Sequence, residues 1–118
     1  MKFTLPFPPH ILSPNSRKNW RSKIKPKNAM KDAGVIQGIF GQAEASPYAS
    51  YCVSVAFYPP NLRWDVDGMF SALKSGIDGL AIGMKINDRQ FRKFILEVPD
   101  SDKLNPRVEI EITEIGLK

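Results

Sequence analysis

Residues 107–115 alternate apolar and polar side chains with a period of two. Val108, Ile110 and Ile112 share one side of an extended backbone, and polar side chains at positions 109, 111 and 113 share the other. This pattern is typical of a strand whose sheet has one buried face and one solvent-facing face. The rest of the chain must therefore supply the layer that covers the buried face.

Three more segments carry strand patterns. Residues 2–7, 50–58 and 91–98 are rich in apolar and aromatic side chains, and Pro59 and Pro60 end the second of them. Together with residues 107–115 they predict four strands, three of them bounded by proline-containing or polar turns.

Two helices are predicted between the strands. Ser16 is a candidate cap for a first helix that runs to about Ala45, with Pro26 as a break or a late start. A second helix is predicted at 67–80, followed by a glycine-containing loop at 81–90. The order β-α-β-α-β-β predicts an α+β fold, in which both helices pack on one face of a small mixed sheet.

The length and composition limit the class of protein. A chain of 118 residues with 42% hydrophobic residues predicts a single globular domain, residues 1–118. The opening residues resemble a strand rather than a signal peptide, and no apolar run approaches the roughly 18 residues of a membrane span. The single cysteine, Cys52, excludes an internal disulfide and is expected to be a buried thiol. We therefore expect a cytoplasmic protein with no membrane association.

The positive charge is concentrated in the first third of the chain. The net charge is +5, and residues 1–46 hold eight basic and two acidic side chains. Such a patch favours a polyanionic partner, because each neutralised phosphate releases counterions; the alternative is a solvated helix face. The candidate DNA-binding residues are Arg17, Lys18, Arg21, Lys23, Lys25 and Lys27.

Two carboxylates stand two residues apart at the start of the second predicted helix. Asp65 and Asp67 project to the same side if the backbone there is extended, and a divalent cation relieves their repulsion. Ser71, Lys74 and Asp78 fall within about 40° of Asp67 around the helix axis. The alternative is a surface helix with Asp67 as its N-cap, which leaves Asp65 unexplained.

A third carboxylate, Asp88, precedes the strand at 91–98. With Asp65 and Asp67 it would complete a three-carboxylate cluster, able to hold one or two Mg²⁺ ions against a phosphate. The alternative is an ordinary Asn-Asp turn at the entry to a strand.

These motifs, taken in order, resemble the signature of the RusA family of Holliday junction resolvases, in its phage or prophage type. The shared features span nearly the whole chain: LPFPP at 5–9, LSPNSR at 12–17 followed by Trp20, DVDG at 65–68, Lys74, DGL at 78–80, NDRQF at 87–91 and VEIEI at 108–112.

The resemblance implies a homodimeric endonuclease that resolves four-way DNA junctions by paired symmetrical nicks. Asp65, Asp67 and Asp88 would be the catalytic, metal-binding carboxylates, and Lys74 would contact the scissile phosphate. The implied cofactor is Mg²⁺, with Mn²⁺ as a substitute and no small-molecule cofactor. Phosphodiester hydrolysis would be metal-assisted, with water as the nucleophile.

Three positions depart from the family pattern. Gly68 and Asn87 stand where the family usually has Asn and Asp, which removes an amide and a negative charge near the metal. Lys74 follows Asp67 by seven residues rather than four, which places it about 4.5 Å further along the helix.

Other functions remain open from the sequence. The departures favour a junction-binding protein without activity, and the basic patch also suits a metal-dependent nuclease for other branched DNA. A third alternative is an interaction module whose acidic residues are caps and turns. Trp20, Trp64 and Phe70 are interpreted as packing residues, with a base-wedging role as the alternative.

Overall fold

The structure, a computed structural model, describes residues 1–14 and 16–117; Asn15, which belongs to the family resemblance, lies outside the described residues. It confirms the α+β fold and the order of its elements. The elements are β1 (Lys2–Pro6), α1 (Trp20–Ile39), β2 (Ala49–Tyr58), α2 (Val66–Met84), β3 (Phe91–Glu97) and β4 (Arg107–Leu117), with short 3₁₀ turns at His10–Leu12 and Asp88–Gln90.

The four strands form one mixed sheet in the order β1-β4-β2-β3. β4 runs antiparallel to both of its neighbours, so that Val108 lies opposite Leu5 on one side and Phe57 on the other. β2 and β3 are parallel, which requires the crossover that α2 supplies.

One face of the sheet forms the core. Val108, Ile110 and Ile112 are at most 1% exposed, as their alternation predicts, whereas Glu111 on the opposite face is exposed. The buried face packs against α2 through side chains such as Leu73 and Ile77, and against α1. Both helices therefore cover the same face, and the other face is left to solvent.

The two helices touch along glycines. A Cβ atom at Gly79 would stand 2.1 Å from the carbonyl oxygen of Lys31, and one at Gly83 would stand 2.2 Å from that of Val35. The prediction of a loop at 81–90 is wrong for its first residues, because these glycines bring two backbones together instead of ending the helix. α2 continues to Met84, and Lys85 ends it in the left-handed conformation at φ 59°.

α1 begins later than predicted. Its cap is Asn19, whose side chain accepts a hydrogen bond from the Ser22 N–H at 3.1 Å, and not Ser16. Pro26 lies inside the helix and does not break it, and the helix ends at Ile39 rather than near residue 45. Neither helix of the described ranges is long and apolar enough to cross a membrane.

Candidate metal and nucleic-acid site

Asp65 is the N-cap of α2. Its backbone is extended, at φ −88° and ψ 155°, and its Oδ1 accepts a hydrogen bond from the Gly68 N–H at 2.5 Å. The interpretation of Asp67 as the cap is wrong, because the helix already begins at Val66 and Asp67 lies exposed in its first turn. The backbone is therefore not extended through both aspartates, yet both remain at the amino end of α2, which favours negative charge.

Gly68 lets the Asp65 carboxylate approach the helix end. A Cβ atom at Gly68 would stand 2.8 Å from Asp65 Oδ1 and 3.6 Å from the Oγ of the buried Ser13. Any larger residue here, including the Asn of the family pattern, requires the Asp65 carboxylate to shift. Gly68 therefore sets how closely the Asp65 carboxylate can approach the helix end.

Asp65 lines a pocket of about 270 Å³. Its other lining side chains include Ser13, Asn61 and Arg63. Trp64 forms one wall and makes edge-to-face contacts with Phe7 at 5.0 Å and with His10 at 5.4 Å, measured between ring centroids. These contacts hold the loop that follows β1, with Pro8 and Pro9, against the segment that precedes α2, and His10 is thus a packing residue at the pocket rim.

Arg63 was not predicted as a site residue. It is exposed and lies on the wall of this pocket, two positions before Asp65. Its guanidinium suits a bound phosphate, because Arg presents several donors in a planar array. Its position two residues before Asp65 is the sequence feature from which it could have been predicted.

Asp88 lies beyond the opposite end of α2. The helix has 19 residues, which corresponds to about 28 Å along its axis. Asp88 is exposed in a short turn that Asn87 caps, and the Asn87 side chain accepts from the Arg89 N–H at 2.9 Å. In residues 1–14 and 16–117, no group of three or more His, Cys, Asp or Glu is arranged to hold a metal ion. The fold of the chain therefore does not bring Asp88 to Asp65 and Asp67.

Lys74 lies in a separate groove of about 500 Å³ between the amino-terminal halves of α1 and α2. Lys23 and Lys27 line its α1 wall, and Ser75 and Asp78 line the α2 wall beside Lys74. Lys74 is nine residues after Asp65, or about 14 Å along the helix axis. The structure thus places Lys74 with the basic residues of α1 rather than in the Asp65 pocket.

The groove and the pocket are neighbours. Leu12 lines the groove, and Ser13, the next residue, lines the pocket. The 3₁₀ turn at His10–Leu12 therefore lies between the two, and a ligand longer than one phosphate can contact both.

The six candidate DNA-binding residues divide into two sets. Lys23 and Lys27 line the groove. The remaining four, Arg17, Lys18, Arg21 and Lys25, are exposed and line no described cavity.

The three aromatic residues also differ from one another. Phe70 packs edge-to-face on Phe94 at 5.3 Å, and Trp64 packs in the pocket wall, which confirms packing for both. Trp20 is 67% exposed at the mouth of the groove, so the packing interpretation is wrong for it.

Comparison with known proteins identifies a relative but no activity. No family model matches the chain. The chain is 32% identical over 119 residues to an uncharacterized protein of Xylella fastidiosa, and the alignment covers 95% of this chain and 75% of that protein. The similarity therefore includes both the Asp65 pocket and the groove, and the chemistry has to be argued from their residues.

Proposed function

This chain belongs to the same family as the Xylella fastidiosa protein, and we propose that it is a structure-selective endodeoxyribonuclease that resolves four-way DNA junctions by Mg²⁺-dependent hydrolysis. The observation that carries the proposal is the pairing of Asp65 and Asp67 at the amino end of α2, beside Arg63 and next to a groove lined by three lysines. Acidic oxygen ligands beside a cationic track suit metal-dependent cleavage of a phosphodiester.

The donor set fits Mg²⁺. Asp65 uses one carboxylate oxygen to cap α2, which leaves the other oxygen, and Asp67 is exposed in the first turn. Carboxylate oxygens are the protein ligands that Mg²⁺ prefers, and it retains water or phosphate as its other ligands. When bound, Mg²⁺ would supply Lewis acidity toward the scissile phosphate and increase the acidity of water.

Side chains of the chain itself would position the DNA. Arg63 would hold a non-bridging phosphate oxygen in the pocket, and Ser13 would close its inner side. Lys74, in the groove, would hold a neighbouring phosphate of the same strand rather than the scissile one, because it lies about 14 Å from Asp65 along α2. Catalysis would then depend mainly on placing the phosphodiester against the carboxylate pair.

A homodimer would account for Asp88. Asp88 and the Asp65–Asp67 pair lie at opposite ends of α2, so a two-fold axis that reverses the helix direction can bring the partner subunit's Asp88 to this pair. Two such sites, related by the axis, would cut two strands symmetrically. We therefore propose that each active site uses residues of both subunits, in a cytoplasmic enzyme with access to DNA.

Cleavage of a labelled four-way junction tests the proposal. The substrates are the junction and a linear duplex of the same sequence, each with Mg²⁺, with Mn²⁺ and with EDTA. We expect paired symmetrical nicks in the junction alone, with either metal but not with EDTA, and none with Asp67→Asn. Asp32→Asn is the matched control, because Asp32 is an exposed aspartate of α1, and it should cleave normally. Cleavage by Asp67→Asn, or none by the wild type in either metal, would contradict the proposal.

A second candidate is a junction-binding protein without nuclease activity. It is favoured by the role of Asp65 as a helix cap and by the distance of Asp88 from it, because both residues then have local structural explanations. The cationic groove requires neither aspartate. Tight junction binding without nicks in any metal would support this candidate.

A further inference from the structure

We propose that the groove between α1 and α2 binds an unpaired segment of single-stranded DNA, with phosphates on Lys23, Lys27 and Lys74 and one base stacked on Trp20. The inference rests on the proposed function only in taking DNA as the ligand. It assigns the groove to the unpaired strand at the centre of a junction, and leaves cleavage to Asp65 and Asp67 at the neighbouring pocket.

The groove results from a change of side-chain size along one face of α1. The helices run parallel, since Gly34 meets Gly76 and Gly38 meets Gly83, with backbone atoms within about 3 Å of the position that a Cβ atom would take. Positions 23 and 27 continue the same face toward the amino end, one helical turn apart, but carry lysines. Small residues thus close the helix pair at one end, and long cationic side chains line the opening at the other.

The groove has the polar groups that a phosphate needs. Within the described residues, the ion pairs involve only Lys2 and Arg107 as cations, so Lys23, Lys27 and Lys74 are available for an anion. Ser75 also lines the groove and is 6% exposed, and its Oγ has no hydrogen-bond partner within the described part of the chain. A buried hydroxyl without a hydrogen-bond partner costs free energy, and a phosphate oxygen that accepts from Ser75 would remove this cost.

Two residues limit what fits. Asp78 lies in the groove one turn after Lys74, and its carboxylate would repel a phosphate placed beyond Lys74. Trp20 lines the groove and is 67% exposed, with the Arg21 guanidinium over its ring at 5.4 Å from the centroid. Stacking on an exposed indole requires a free base face, which a paired and stacked duplex does not offer.

Binding in EDTA tests the lysines without cleavage. The probe is a fluorescein-labelled oligothymidine of about 12 nucleotides, compared with a duplex of the same length by anisotropy over a range of salt concentrations. Lys23→Gln with Lys27→Gln should reduce the slope of log affinity against log salt for the single strand by about 1.4, or about 0.7 for each phosphate lost. Arg92→Gln with Lys93→Gln removes the same charge from exposed positions of β3, away from the groove and from Trp20, and should leave the slope nearly unchanged. Equal losses for both pairs would overturn the inference.

The base contact has its own readout. Oligothymidine should quench the Trp20 fluorescence, and Trp20→Ala should abolish that quenching and weaken single-strand binding about tenfold, with little effect on the duplex. Phe40→Ala is the matched control, since Phe40 is 77% exposed at the far end of α1. Unchanged quenching or affinity in a folded Trp20→Ala protein, checked by its melting curve, would overturn the inference.

The two proposals fail separately. Groove binding in EDTA by a protein that never nicks junctions would remove the nuclease proposal and leave this inference. Metal-dependent nicking by a protein with unaltered single-strand binding in the Trp20 and lysine variants would do the reverse.

Discussion

The Asp65 carboxylate accepts a hydrogen bond from the Gly68 N–H through its Oδ1 at 2.5 Å, at the start of α2. Asp65 therefore has both a structural and a chemical role. It caps the helix, which stabilises the fold, and it presents negative charge to the adjoining pocket. The structural and the chemical roles can be separated, because Asn and Asp cap helices about equally well but only Asp is an anion.

We therefore expect Asp65→Asn and Asp65→Ala to differ in stability and to agree in activity. Asp65→Asn should unfold within a few tenths of a kcal/mol of the wild type, whereas Asp65→Ala should lose about 1 kcal/mol because the Gly68 N–H loses its acceptor. Both should fail to nick junctions in Mg²⁺ while binding them. Urea unfolding measures the free energies of unfolding, gel shift measures junction binding, and the cleavage assay measures nicking. Nicking by Asp65→Asn would show that the residue is a cap alone.

Gly79→Ala should destabilise the helix pair. The added methyl group would meet the Lys31 carbonyl oxygen at 2.1 Å, and a backbone atom cannot rotate away. We expect a loss of about 2 kcal/mol in the free energy of unfolding, even though Ala is the better helix former. Gly76→Ala is the matched control, since its methyl group meets the Leu5 Cδ1 at 3.0 Å and the Met30 Cε at 3.3 Å, which are ends of flexible side chains. Equal losses in urea unfolding would mean that backbone contact is not the cause.

The sequence predicted the strands better than the helix ends, for a physical reason. Burial of one sheet face imposes a period of two that is visible within β4 itself, at Val108, Ile110 and Ile112. The carboxyl end of α2 depends instead on α1, because the backbone of Val35 approaches Gly83 so closely that a Cβ atom there would stand 2.2 Å from its carbonyl oxygen. A contact between distant segments leaves no periodic signal in either of them.

The same limit applies to the site. The carboxylate pair at 65 and 67 was predicted from its spacing on an extended backbone, whereas the structure places Asp65 as the N-cap of α2 and Asp67 in the first turn. The pocket beside Asp65 was not predicted, because Ser13 and Arg63 are distant in the sequence and line one cavity only in the folded chain. The distance between Asp88 and the Asp65–Asp67 pair was not predicted, because residues 81–84 were assigned to a loop and not to the last turn of α2.

The turn between β3 and β4 should make stability depend on acid pH. The pKa of Asp102 is held below its ordinary value of 3.8, first because the Asn105 N–H donates to the carboxylate and then because the Arg107 guanidinium lies beside it. A lowered pKa in the folded state stabilises the fold above the ordinary value, and that contribution is lost as the pH falls through the lowered pKa. Thermal unfolding of the wild type and Asp102→Asn should therefore differ at neutral pH, begin to converge as the pH falls below about 4, and become equal only below the lowered pKa. A difference that stays constant with pH would contradict the assignment.

Mixing two inactive variants should restore cleavage if each active site is shared between subunits. In a heterodimer of Asp67→Asn with Asp88→Asn, one site would combine both substitutions. The other site would combine the intact Asp67 of one subunit with the intact Asp88 of the other. We expect each variant alone to be inactive and the refolded mixture to nick one strand per junction instead of a symmetrical pair.

We expect this result because about 28 Å separates the ends of α2, a distance that no side chain of one chain spans. Mixing Asp67→Asn with Asp65→Asn is the control, since both substitutions affect the same end of α2. Every shared site in that mixture carries a substitution at this end, so it should stay inactive. Restoration in both mixtures would contradict the proposed sharing, because it would require Asp65 and Asp67 of one site to come from different subunits. Restoration in neither, with dimers present by sedimentation, would mean that Asp88 acts within its own protomer or only in its turn.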